Sequence, residues 1–362
     1  MAETVLKEEE IVAGKLRSLY QKYGYLPYKM SKFEEYDLYA RNKEFLDGAR
    51  IVTFNDVDGK LLALKPDITL SIVKNDLDDG AKRKVYYNET VYRAQKKSGG
   101  FKELHQTGLE CIGEIDLYDE YETLYLAAAS LNEISENFVL DISHRGILSA
   151  VIKEVNADKQ FSKQIMRLIA EKNTHGLISF CETNSVKPDK FLALVNAYGT
   201  PKTALERLES VCESEETKRA FFHFKTLCSL LENTEFKDKL RVDFSVVGSG
   251  NYYDGVVFSG FIDGIGEAVL SGGRYDRLLA RMGKKSGAIG FAVYLDLLEN
   301  LGKKRKCEDV DIVVLYDEKT ALEEVIKRVQ VLIAEGNTVS AQRQKGALRA
   351  KEVVDLRGGA KC

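Results

Sequence analysis

Residues 102–110 read Lys-Glu-Leu-His-Gln-Thr-Gly-Leu-Glu. In an extended strand alternate residues share a face. Leu104, Gln106, Gly108 and Glu110 then point one way, and His105, Thr107, Leu109 and Cys111 the other. The first face carries an amide and a carboxylate on either side of a glycine. Glycine weakens a strand interior and marks close approach of a ligand. Such a face suits a small polar ligand that carries an amine. The same pattern also describes the solvent side of an edge strand.

Three further segments hold residue types able to bind. Asp67 and Thr69 follow Leu64-Lys65-Pro66. They fall in the first turn of a short helix, where an acid and a hydroxyl also satisfy free N–H groups. Asn251-Tyr252-Tyr253-Asp254-Gly255-Val256-Val257-Phe258 places two tyrosines on opposite faces of a strand, with a core role open to one of them. Leu270-Ser271-Gly272-Gly273-Arg274-Tyr275-Asp276 reads as a strand ending in a double glycine that leads into a helix. That turn is either a seat for an anion or amino acid or a tight strand–helix joint. Common nucleotide and hydrolase motifs are absent. There is no P-loop, G-x-S-x-G or H-E-x-x-H. Gly248-Ser249-Gly250-Asn251-Tyr252-Tyr253 has a tyrosine where a dinucleotide fingerprint needs its third glycine. The four histidines, His105, His144, His175 and His223, are too few and too scattered for a metal cluster.

These residues need a frame. Apolar spacing predicts a helix over 5–23, ended by Gly24. Ile51–Phe54 and Leu61–Leu64 form a hairpin around a turn-rich loop. Pro66 opens a short helix that runs to about Val73. Lys84–Arg93 and Lys102–Gly113 are strands joined by the polar loop Gln95–Gly100. A helix over Tyr118–Glu136 and a strand over Phe138–Ile142 follow. Residues 145–235 lack strand alternation and read as an inserted helical module. Strands return at Arg241–Val247, Asn251–Phe261 and Glu267–Leu270, with helices at about 273–282 and 290–301. After the charged linker Gly302–Glu308, the expected order is strand, helix, strand, helix: Val310–Tyr316, Thr320–Glu335, Thr338–Gln342 and Lys345–Asp355. Strands on both sides of a helical insertion predict one mixed, mainly antiparallel α+β sheet, split in sequence. The expected domains are 1–144 and 236–302 for the two parts of the core, 145–235 for the insertion, and 309–362 for a small α/β domain.

Composition narrows the class. The 362 residues suffice for two or three domains without disulfide staples. Lys plus Arg number 53 and Asp plus Glu 56, a net charge of −3 that argues against bulk electrostatic binding of nucleic acid. The N-terminus carries Glu8, Glu9 and Glu10 and no apolar leader, and no apolar stretch is long enough to span a bilayer. The six cysteines have no paired or zinc-type spacing. The expectation is a reduced, cytoplasmic protein with no membrane partner, no metal and no cofactor.

Taken in order, the segments over about Leu6–Leu301 resemble the class II histidyl-tRNA synthetase catalytic core. Tyr39-Ala40-Arg41 is similar to its first strand-and-loop region, and Leu64-Lys65-Pro66-Asp67-Ile68-Thr69 to its L-R-P-E-x-T segment. Val91-Tyr92-Arg93 resembles the motif 2 F-R, and Leu104–Glu110 resembles F-H-Q-x-G-x-E. Tyr252-Tyr253-Asp254-Gly255 resembles Y-Y-T-G, Gly272–Asp276 resembles G-G-R-Y-D, and Gly290-Phe291-Ala292 the start of motif 3. The resemblance implies a class II synthetase-like fold and a histidine pocket. Asp67, Thr69 and Gln106 would receive the α-amine, Glu110 and Tyr253 the imidazole, Tyr275 would line the pocket, and Arg93, the retained motif 2 arginine, would complete the histidine-binding set.

The departures point away from adenylate chemistry. Gly248 stands where the synthetase has an arginine on the carboxylate and phosphate, Leu297 stands at the motif 3 arginine, and Gln95 replaces the acid two residues after Arg93. Residues 309–362 resemble a truncated anticodon-binding domain. Together these features resemble the family of ATP phosphoribosyltransferase regulatory subunits, which the shorter Asp67 also fits. That resemblance implies a non-catalytic, allosteric subunit in histidine biosynthesis. It would be a homodimer when alone, would bind L-histidine and the short-form catalytic subunit, and would bind no tRNA. The alternatives are a divergent histidyl-tRNA synthetase or an orphan amino-acid-binding paralogue.

Overall fold

The first helix, α1 (Glu8–Lys22), starts with three glutamates, which favour the positive end of the helix dipole. It buries Val12, Ala13, Leu16 and Tyr20 along one stripe. The computed structural model describes residues 7–46, 51–94, 100–156, 158–247, 252–300 and 308–358. Gln95, Gly248 and residues 301–307, which take in all of the expected linker but Glu308, lie outside the described residues, as does most of the Gln95–Gly100 loop. Two units form, one over Lys7–Glu299 and a smaller one that includes the residues from Asn300 onward.

The larger unit continues with β1 (Leu26–Pro27), β2 (Phe33–Glu35), α2 (Tyr36–Arg41), β3 (Thr53–Asn55), β4 (Leu61–Leu64), α3 (Thr69–Asn75), β5 (Arg83–Ala94), β6 (Phe101–Gly113), α4 (Leu117–Ile134) and β7 (Phe138–His144). Helices α5 (Arg145–Val155), α6 (Lys159–Ala170), α7 (Thr174–Thr183) and α8 (Asp189–Asn196) follow. After β8 (Tyr198–Gly199) come α9 (Pro201–Glu209) and α10 (Glu215–Glu232). The chain returns through β9 (Leu240–Asp243), β10 (Val256–Ile262), β11 (Leu270–Arg274), α11 (Asp276–Arg281) and β12 (Gly287–Tyr294). A 3-10 turn over Leu295–Asn300 follows β12.

Nine strands make one sheet in the order β1-β5-β6-β12-β11-β10-β7-β9-β8. Its β1–β5 and β7–β9 pairs are parallel and the rest antiparallel. The α+β class read from the sequence therefore stands. On one face α1 and α4 cover the sheet, with Tyr20 reaching Ser130 at 3.0 Å and packing edge-on to Phe291. The other face carries a second core with Tyr39, Ile68, Leu70, Tyr87, Val91, Tyr252 and Tyr275. A small sheet, β2-β4-β3, lies beside it in sequence and in packing.

Several expectations need correction. The short helix starts at Thr69, not Pro66, because the chain is still tied to β5 there: Tyr92 N–H donates to the Lys65 carbonyl at 2.9 Å. Tyr39-Ala40-Arg41 ends a helix, α2, rather than forming a strand and loop. Tyr252 and Tyr253 precede β10 instead of riding on it. The strand expected over 241–247 ends at Asp243, whose carboxylate accepts the Ser245 N–H at 2.9 Å and turns the chain. Gly272 and Gly273 sit inside β11, hydrogen-bonded into the sheet on both sides, not in a turn after it, and β11 begins only at Leu270. The expected helix over 290–301 is instead β12 followed by a 3-10 turn.

The smaller unit has β13 (Val310–Leu315), α12 (Leu322–Ala334), β14 (Val339–Gln342) and β15 (Ala350–Asp355). The sheet is parallel, in the order β14-β13-β15. The helix expected over Lys345–Asp355 is thus a strand from Ala350. Val353 and Val354 are β-branched and pair with Val313 and Val314.

Candidate functional site

The cavity of interest opens on the sheet face that carries Gln106 and Glu110. It holds about 370 Å³. Asp67, Arg93, Gln106, Glu110, Tyr253 and Tyr275 all line it. Thr69 stands directly behind Glu110, donating to it. The seven residues singled out in the sequence therefore come together from five places in the chain.

β6 is an interior strand, paired with β5 on one side and β12 on the other. The edge-strand alternative is thereby excluded. Gln106 and Glu110 are buried on its cavity face. The gap over Gly108 is not left for a ligand. A Cβ there would lie 2.1 Å from the Phe291 carbonyl and 2.6 Å from the Tyr87 hydroxyl, so the tyrosine ring fills it. Gly290 does the comparable work on β12. It pairs with Glu110 across the ladder, and a Cβ at 290 would fall 1.7 Å from Glu110 Oε2. The Glu110 side chain thus lies flat over a strand that only glycine leaves bare.

Both Glu110 oxygens are engaged. Thr69 Oγ1 donates to Oε1 at 2.7 Å and the Tyr275 hydroxyl donates to Oε2 at 2.5 Å. Burial pushes the Glu110 carboxyl up to about 8, against the lowering effect of those two hydroxyls, and the Asp67 charge adds to the rise. Asp67 accepts the Leu70 N–H at 2.8 Å, the capping role open to it in the sequence. Burial raises its pKa as well, while Arg93 pulls it down. Arg93 Nη2 stands 3.8 Å from Asp67 Oδ2, and its Nε donates to the Pro66 carbonyl at 2.8 Å. Burial also raises the phenols of Tyr252, Tyr253 and Tyr275, so they stay neutral at ordinary pH. Tyr252 packs on Tyr253, Tyr275 and Phe45.

Two wall features escaped the sequence reading. Gly290 was picked out only as part of the motif 3 resemblance, with no sign that it faces Glu110. The Ser271 hydroxyl and the Tyr294 phenol meet at 2.6 Å across β11 and β12, a contact that depends on register and leaves no local signal. Leu297, in the 3-10 turn after β12, does not line the cavity. Among the described residues, Arg93 is the only lysine or arginine in the wall. The described residues also include no group of three or more His, Cys, Asp or Glu able to hold a metal ion. None of their helices is long and apolar enough to cross a membrane. An acid, an amide and a protonatable carboxyl around one guanidinium suit a small ligand with an ammonium and a hydrogen-bonding ring. They offer little to a triphosphate.

Comparison with known proteins agrees with this architecture. The family model described as Histidyl-tRNA synthetase matches residues 2–298. The ATP phosphoribosyltransferase regulatory subunit of Alkaliphilus metalliredigens is 29% identical over 310 residues, covering 82% of this chain and 78% of that protein. The subunit of the same name from Bacillus licheniformis is 30% identical over 319 residues, covering 85% and 81%. A crystal structure from Bacillus halodurans, described as an ATP phosphoribosyltransferase regulatory subunit/histidyl-tRNA synthetase, superposes with a TM-score of 0.77 at 25% identity, covering 98% of this chain and 95% of that one. The family model and these relatives show that the chain belongs to the histidyl-tRNA synthetase family, and within it to the ATP phosphoribosyltransferase regulatory subunits.

Proposed function

We propose that the protein is a non-catalytic regulatory subunit. It docks on a short-form ATP phosphoribosyltransferase, is needed for that enzyme's activity, and carries histidine feedback on the first step of histidine biosynthesis. The observation that carries this reading is the imbalance of the cavity. Groups fitted to an amine and an imidazole are assembled around Glu110, while Arg93 alone supplies positive charge among the described residues of the wall.

In the complex with histidine, Asp67 and Gln106 take the ammonium, Glu110 and Tyr253 the ring, and Thr69 and Tyr275 hold Glu110 in place. Adenylate formation needs fixed positive charge around a developing negative one. Leu297 and Gly248 supply none where the synthetase resemblance expects arginines. Histidine-dependent ATP–pyrophosphate exchange, run beside an authentic synthetase, tests this part. Exchange within about a hundredfold of that control, equivalent to under ~3 kcal/mol of lost stabilisation, contradicts it.

The free protein is a homodimer in this reading. Phe33, Leu62, Leu64 and Phe54 share one face of the small sheet, with Phe33 and Phe54 exposed and their rings 5.7 Å apart. A contiguous apolar face of this kind favours a partner surface.

A further inference from the structure

Lys65 is only 1% exposed, yet it ends in an ammonium. Its Nζ lies 2.5 Å from Glu89 Oε2. Neither side chain lines the cavity. A buried ion pair is a poor device for stability, since apolar side chains of similar volume serve as well or better. What it does supply is a fixed distance between two chain segments.

The two segments here are the ones that build the cavity. Glu89 sits on β5 directly opposite Gln106 on β6, on the cavity face. Lys65 is the last residue before Pro66–Thr69. Its own backbone is held on both sides. Lys65 N–H donates to the Lys32 carbonyl at 3.1 Å, and Tyr92 N–H donates to the Lys65 carbonyl at 2.9 Å. Arg93 then takes the Pro66 carbonyl at 2.8 Å, and Thr69 ends the run on Glu110. The side-chain pair is the one link of this set that joins the segment to the strand position facing Gln106.

We propose that Lys65 and Glu89 are positioning residues: their ion pair fixes Pro66–Thr69 over β5, so that Asp67 and Thr69 stand in register with Gln106 and Glu110 for an amine-bearing ligand. The pair also keeps the Glu89 charge occupied. A free carboxylate beside Gln106 would compete for the ligand's ammonium. The affinity part of this inference rests on the amino-acid reading of the cavity, and the ordering part does not.

The test uses the full chain in three forms: wild type, Lys65→Met, and Lys65→Met with Glu89→Gln. The double variant removes both charges and leaves no unpaired ion, so it stays informative if the single variant fails to fold. Thermal melting, amide exchange of peptides within 66–75 without ligand, and histidine calorimetry are read on each. The double variant is expected to melt within about 4 °C of wild type. Its 66–75 amides exchange at least about tenfold faster while β6 is unchanged, and its histidine affinity falls about tenfold. Unchanged exchange over 66–75 in the folded double variant overturns the proposal. So does a general loss of protection, which makes the pair merely structural, and so does unchanged affinity where wild type binds histidine. If wild type binds no histidine, the amino-acid reading fails, and the exchange result alone decides the positioning role.

Discussion

Replacing Glu110 by glutamine should remove a pH dependence from the stability of the core. The folded protein holds the Glu110 carboxyl at about 8, against an ordinary value of 4.5, chiefly through burial. For an acid shifted upward, the unfolded chain gives up its proton first. Between pH 4.5 and 8 the folded state therefore binds more protons, and stability falls as pH rises. The slope is about 1.4 kcal/mol per pH unit. Over 8 − 4.5 = 3.5 units the loss is on the order of 4 to 5 kcal/mol by pH 8. The glutamine side chain has no proton to lose, and its amide still meets the rotatable hydroxyls of Thr69 and Tyr275. Other acids titrate in the same window, Asp141 among them at about 6. The difference between variant and wild type isolates Glu110. Urea unfolding followed by circular dichroism at pH 5, 6, 7 and 8 supplies that difference. The variant should be close to wild type at pH 5 and the more stable protein at pH 8. Parallel stability curves across the range would refute the buried, protonated carboxyl.

Gly290→Ala places a methyl 1.7 Å from Glu110 Oε2 and 2.3 Å from the Leu109 carbonyl. Overpacking of that kind costs about 1–3 kcal/mol, so the melting point should drop by several degrees and histidine binding should fall with it. His223 on α10 reaches Glu120 on α4 at 2.6 Å, and that contact raises its pKa. Its contribution is fully present below pH 6.5 and is lost as pH rises through the raised value. The ring is partly exposed, which keeps the effect below about 1 kcal/mol. His223→Gln should flatten the pH dependence of amide exchange in α10, and unchanged dependence would count against the contact. Sedimentation of the free protein should show a dimer that Phe33→Glu with Phe54→Glu dissociates, and a monomeric wild type removes that claim.

The long paired strands β5 and β6 were legible because Val85-Tyr86-Tyr87 and Val91-Tyr92 favour extended chain and a polar, glycine-containing loop separates the two runs. The α+β class followed from strands on either side of the helices α5–α10. The cavity residues were legible as a set only through the family resemblance. Taken alone, Asp67 fitted a helix cap, which it also is, and the face of β6 fitted an exposed edge. β12 escaped because Glu110 needs bare backbone at Gly290, and Gly290-Phe291-Ala292 gives no strand alternation. The Lys65–Glu89 pair escaped for another reason. Its members are 24 residues apart and meet only once β4 and β5 are placed.

The effect of this chain on another enzyme is read most directly by reconstitution. A purified short-form ATP phosphoribosyltransferase is assayed alone, with this protein, and with this protein across a histidine titration. Wild type is compared with Glu110→Ala, which leaves the buried hydroxyls of Thr69 and Tyr275 and the ligand ring without their partner, a loss of roughly 1–3 kcal/mol and therefore about one to two decades of histidine sensitivity. Transferase activity is expected only with the added subunit, histidine is expected to suppress it, and Glu110→Ala is expected to shift the inhibition curve to higher histidine while leaving activation in place. A transferase indifferent to the added protein would contradict the regulatory reading, and an identical inhibition curve for Glu110→Ala would place histidine sensing outside this cavity.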